Sequence, residues 1–263
     1  MKIAHGWVVG ASILALSAAC TRTPHEQARK NEDTMSGVVR IDGDDGSAIR
    51  REFTADNRAE IMSRLKNEIT AATSGKFQTI LRVSAPDPPR IQTAAVKMVG
   101  RIEHGQLQGL VRNLISVEGK EILIGEFPYR NDLQDGIATI YFPTNGQVAM
   151  RCQLRENFRD GELNAWYANG QMALKCRYAR GQLDGACAAF DPQGGVLAEG
   201  TYEQGKRISG TFVDDPGKVA KMAHLGIPYE IGVTDAAGTR LRTPTIVPPR
   251  HPLPDILRAL ENM

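Results

Sequence analysis

The feature that most restricts what this chain can become is a repeat of 24 to 27 residues in its second half. In Gly100-Arg101-Ile102, Gly125-Glu126-Phe127, Cys152-Gln153-Leu154, Cys176-Arg177-Tyr178 and Gly200-Thr201-Tyr202, a small residue precedes a large one by two positions. A second glycine follows each unit, at Gly109, Gly136, Gly161, Gly185 and Gly210, and Asp135, Asp160 and Asp184 precede three of these. Five residues further on stand Leu114, Tyr141, Trp166 and Phe190. Turn pairs close the pattern: Glu118-Gly119, Asn145-Gly146, Asn169-Gly170 and Gly194-Gly195. Self-similarity at this period marks units that cannot bury an apolar face alone and must stack on their neighbours.

The runs between turns are short and rich in β-branched and aromatic residues, so each unit reads as two strands. Asn145-Gly146 and Asn169-Gly170 suit tight two-residue hairpins, where both central residues take positive φ. A small residue before a large one lets a ring lie over bare backbone. The expected fold class is mainly β: an antiparallel β-hairpin repeat array, preceded by a small α+β segment.

The segments Asp160-Gly161-Glu162-Leu163-Asn164-Ala165-Trp166-Tyr167-Ala168-Asn169-Gly170 and Tyr178-Ala179-Arg180-Gly181-Gln182-Leu183-Asp184-Gly185 carry a family likeness. They resemble the MORN-repeat variant of bacterial proteins, including ones labelled antitoxin components. The likeness covers residues 98–213. It implies an elongated hairpin sheet used as an interaction module, and it brings no catalytic residues.

Two questions stay open at this level. Tyr141, Trp166, Tyr167, Phe190 and Tyr202 form either an exposed binding strip or the core that holds the hairpins together. Cys176 and Cys187 flank the turn around Arg180-Gly181-Gln182-Leu183. A turn centred between Gly181 and Gln182 sets them directly opposite and allows a disulfide, whereas a two-residue Arg180-Gly181 turn sets them diagonally and strains it. Cys152 is then the odd thiol.

The N-terminus reads as an address. Met1 and Lys2 lead into the apolar stretch 7–16, too short for a permanent span of ~20 residues, and residues 1–19 form a secretory signal peptide. Leu16-Ser17-Ala18-Ala19-Cys20 resembles the lipobox of bacterial lipoproteins, which implies lipidation of Cys20 and a membrane partner reached through that lipid. Thr21 stands where an aspartate would resemble an inner-membrane retention signal, so the expected location is the outer membrane, facing the periplasm. Residues 20–36 make a polar tether.

Residues 37–85 form the small α+β segment. Its acidic turn at 42–46 lacks the glycine and glutamate spacing of a calcium loop, and Ile61, Met62, Leu65 and Ile69 recur at helical spacing. Pro86, Pro88 and Pro89 mark a boundary, with the repeats spanning 90–213. A Pro-rich extension, 214–263, holds a helical turn near 219–225, a hairpin around 235–238 and a terminal helix at 255–261 that would cap the array.

Chemistry is sparse. The scattered histidines have no zinc-ligand spacing, no nucleophile elbow or phosphate loop occurs, and no cofactor or metal is implied. From residue 100 to 213, twelve lysines and arginines face thirteen acids, which lacks the basic excess of a nucleic-acid groove. The expectation is a non-catalytic module with an unknown protein partner. An immunity or antitoxin protein is the sharper alternative, and a cell-wall hydrolase using Asp160 and Asp184 is a third.

Overall fold

The computed structural model describes residues 34–55, 58–72, 74–84, 94–117, 119–212, 214–235, 237–241 and 245–248. The expected signal peptide, Cys20, Pro86 to Pro89 and the segment 255–261, expected to form a terminal helix, lie outside them. The chain is mainly β and divides into two compact units, one running to Glu121 and one from Ile122 to Leu253.

The first unit contains β1 (Thr34–Gly43), β2 (Ala48–Ala55), α1 (Arg58–Ala71), β3 (Ser74–Ser84), β4 (Ala94–Glu103) and β5 (Gln106–Val117). Its strands are ordered β2-β1-β3-β4-β5, each antiparallel to its neighbours. Alternate residues Val39 and Ile41, Phe77, Thr79 and Leu81, and Val96 and Met98 are buried, as the period-2 geometry of a one-sided sheet requires. Helix α1 buries Leu65 and Ile69 and packs against β1, β2 and β5.

Two boundaries differ from the sequence reading. β1 starts at Thr34, inside the segment assigned to the tether. β4 and β5, the first copy of the repeat, belong to the first unit, because β4 pairs with β3 from Ser74↔Glu103 to Val83↔Ala94. An unpaired β3 would leave a row of ladder donors and acceptors without partners, and β4 supplies them.

The second unit holds β6 (Lys120–Arg130) from Ile122 onward, β7 (Leu133–Gln134), β8 (Gly136–Tyr141), β9 (Val148–Arg155), β10 (Phe158–Trp166), β11 (Met172–Ala179), β12 (Gln182–Phe190), β13 (Val196–Glu203) and β14 (Lys206–Gly210). These form an antiparallel meander in chain order, with β7 and β8 both pairing to β6. The chain then makes α2 (Pro216–Leu225), β15 (Tyr229–Glu230) and β16 (Thr245–Ile246).

Two kinds of connection alternate along the meander. At one end are two-residue turns, such as Arg180-Gly181 with φ of 48° and 84°, the doubly positive geometry whose twist matches a hairpin. The same turn recurs at Asn131-Asp132, Glu156-Asn157 and Gln204-Gly205. At the other end the two-residue hairpins expected at Asn145-Gly146 and Asn169-Gly170 are replaced by longer loops. Phe142 N donates to Gln147 O and Tyr167 N to Gln171 O, both at 2.8 Å, and in each loop only the glycine takes positive φ. The asparagines work through their side chains instead. Asn169 Oδ1 accepts from Gln171 N at 3.1 Å, and its Nδ2 donates to Pro192 O at 2.9 Å in the next loop. Asn145 repeats this on Gln147 N and Ala168 O, so consecutive loops are stitched together.

The glycines that punctuate each unit have two separate jobs. A Cβ on Gly125 would lie 2.6 Å from the Phe127 ring, so that ring does rest on bare backbone. Gly185, with φ of 111°, is instead the centre of a β-bulge: pairing in β11–β12 moves from Tyr178↔Leu183 to Cys176↔Cys187 across it. Equivalent shifts occur in β9–β10 near Gly161 and in β4–β5 near Gly109.

Residues 219–225, expected to give one helical turn, are part of the longer α2. Asp215 caps it by accepting from Gly217 N at 2.9 Å, Pro216 opens it, and Gly226 ends it in the left-handed region. It buries Val219, Ala220 and Ala223 and packs against β9, β10 and β11. No helix among the described residues is long and apolar enough to cross a membrane.

Candidate functional site: the two faces of the second unit

Strand alternation separates the five aromatics singled out in the sequence. Tyr167 is fully buried; its hydroxyl donates to Phe190 O at 2.7 Å and lies 3.2 Å from the Tyr229 hydroxyl. Burial pushes both phenols above their ordinary range, Tyr229 the further. Tyr202 is also buried and donates to Phe212 O at 2.5 Å. Phe142 joins the same buried side, its ring stacked on His224 of α2 with centroids 5.3 Å apart.

The immediate neighbours of these residues point the other way. Tyr141, Trp166 and Phe190 are half-buried, and each stands opposite an aliphatic residue: Tyr141↔Val148, Trp166↔Met172 and Phe190↔Val196. Val196 is 61% exposed. Three successive hairpins therefore repeat one aromatic–aliphatic pair on the face turned away from α2. The sequence left these five aromatics as either one exposed strip or one core, but the one-residue offset between Trp166 and Tyr167 assigns them to opposite faces.

The cysteines share the buried face. The row Cys152↔Leu163↔Cys176↔Cys187↔Gly200 runs across five strands, and Cys176 and Cys187 are joined by a disulfide with Cα atoms 4.0 Å apart. Leu163 separates Cys152 from Cys176. The Cys152 thiol is free and buried, and burial pushes it up to about 11, the state of an inert structural cysteine.

The aspartates beside the bulge glycines follow a rule of their own. Arg130 ion-pairs with Asp135 across the first two-residue turn of the unit, and Arg155 Nε lies 3.4 Å from Asp160 Oδ2 across the second. In the third hairpin the equivalent residues are Ala179 and Asp184. A groove of about 530 Å³ opens there, lined by Gln153, Asp160, Arg177, Ala179, Asp184 and the bulge glycines among others. Within the repeats this signal stands in the sequence as Arg130 five residues before Asp135 and Arg155 five residues before Asp160, and it was missed. Among the described residues no group of three or more His, Cys, Asp or Glu is placed to hold a metal ion. No family model matches this chain, and no curated protein matches it either.

Proposed function

We propose that the protein is an envelope lipoprotein, held at the outer membrane by lipid on Cys20 and facing the periplasm, whose hairpin repeat binds another protein without catalysing a reaction. The observation that supports binding is the ribbon Tyr141/Val148, Trp166/Met172 and Phe190/Val196. Half-exposed aromatics make the kind of anchor that concentrates binding energy in protein interfaces. The buried face already has its cover in α2, whereas this face keeps a periodic apolar edge with room for a partner.

A photo-crosslinking amino acid at 166 or 190 in intact cells, with the exposed turn residue Gln204 as control, tests the reading. Crosslinks to one protein from 166 and 190 but not from 204 support it; equal recovery from all three positions, or none, overturns it. Metabolic labelling with a fatty-acid analogue, lost in Cys20→Ala, tests the anchor separately.

A further inference from the structure

We propose that the groove beside Asp184 is a receptor for an arginine side chain presented by the protein partner, which completes from outside an ion pair that the two preceding hairpins make internally. The inference rests on the binding role argued above and assigns it a specific contact.

The argument is one of a broken repeat. Arg130 and Arg155 each end a strand, precede a two-residue turn and pair with the aspartate before the bulge glycine, Asp135 and Asp160. In the third hairpin the turn is present at Arg180-Gly181, the bulge is present at Gly185 and the aspartate is present as Asp184. Only the cation is missing, because Ala179 occupies its position. Where the long arginine stem would lie there is instead the open groove, and Ala179 is part of its wall.

The groove's remaining chemistry favours a peptide ligand over a bare cation. Among the described residues neither Asp184 nor Arg177 has an ion-pair partner, and both line the groove with the Gln153 amide. A carboxylate and a guanidinium lining one groove match an arginine with an acceptor close by on the same segment. Arginine is the expected cation because the protein itself uses it at both equivalent positions, and its planar fork suits a carboxylate. Glycines 161 and 185 keep the floor low: a Cβ on Gly185 would lie 3.2 Å from Arg177 Cδ, and one on Gly161 would lie 2.9 Å from Gln153 Cβ.

The test uses the full chain, labelled with nitrogen-15, and the peptide N-acetyl-Gly-Arg-Gly-amide, with the citrulline peptide as its uncharged isostere. The arginine peptide should move the Gly161 and Gly185 amide signals saturably, and citrulline should bind at least tenfold more weakly. Ala179→Arg, which restores the internal pair, and Asp184→Asn should each abolish the shifts, while Asp135→Asn leaves them intact. No shift at about 10 mM peptide, or equal shifts in Ala179→Arg, overturns the proposal. Crosslinking from position 166 in the Ala179→Arg background distinguishes the two readings: partner still captured at the wild-type level removes the groove from the interface and leaves the aromatic ribbon's role standing.

Discussion

Cys176 stands directly opposite Cys187, although the Arg180-Gly181 turn that joins their strands starts them in a register that would set Cys176 against Gly185. Ala179↔Gln182 and Tyr178↔Leu183 follow the turn, and the bulge at Gly185 then advances the pairing by two residues. The bridge is therefore compatible with the bulged register alone, and it locks the hairpin in that register.

Removing the bridge should destabilise the protein without changing its fold. The cysteines are 11 residues apart, and closing a loop of that size contributes about 2–4 kcal/mol. Urea unfolding of the wild type with and without reductant should differ by this amount. Cys187→Ala should match the reduced wild type and respond no further to reductant; an equal response in the variant would mean that no such bridge exists.

Glycine substitutions should rank by what surrounds each Cβ. At Gly210 a Cβ would meet the backbone carbonyl oxygen of Glu199, and at Gly185 it would meet the flexible Arg177 side chain; at Gly146 nothing lies within 4 Å. All three have positive φ, which costs a side chain on the order of 1–3 kcal/mol. Thermal denaturation should therefore place Gly210→Ala below Gly185→Ala, and Gly146→Ala nearest the wild type.

Neighbouring aromatics should respond in opposite ways. Tyr167→Ala removes a fully buried ring and should cost ~3–5 kcal/mol, while Tyr167→Phe loses the bonds to Phe190 O and Tyr229 and should cost about 1–2 kcal/mol. Trp166→Ala, on the half-exposed face, should cost less than Tyr167→Ala and weaken partner capture instead. Equal losses in melting temperature at 166 and 167 would contradict the assignment to two faces.

Alkaline pH should weaken the fold through its buried acids. Burial raises the Cys152 thiol from 9.0 to about 11, so above about pH 9 the unfolded chain releases this proton while the folded chain keeps it. The stabilisation is complete below pH 9 and is lost as pH approaches 11, with a limiting slope of about 1.4 kcal/mol per pH unit for one proton. The raised Tyr229 and Tyr167 phenols act in the same direction. Cys152→Ala should flatten, without abolishing, the fall in urea stability between pH 9 and 11.

Local sequence determined a good deal of this protein. Glycine spacing and strand-length runs suffice to specify an antiparallel meander, because two-residue alternation and turn chemistry act within one hairpin. The order strand–strand–helix–strand at 37–85 was legible for the same reason, as was the ring over Gly125. The loop asparagines show the limit: their composition signals a turn, but whether it has two residues or more depends on the carbonyl of the next loop, which Asn169 reaches 23 residues away.

Tertiary structure decided the rest. Which side of the sheet α2 covers turns Tyr167 into core and Trp166 into surface, and one strand pleat separates those fates. The register between strands, set jointly by turn and bulge, decides that Cys176 faces Cys187. The open groove beside Asp184 lies where an alanine stands in place of the arginine of the two preceding repeats, a difference that gains its meaning only once folding brings residues five apart across a turn together.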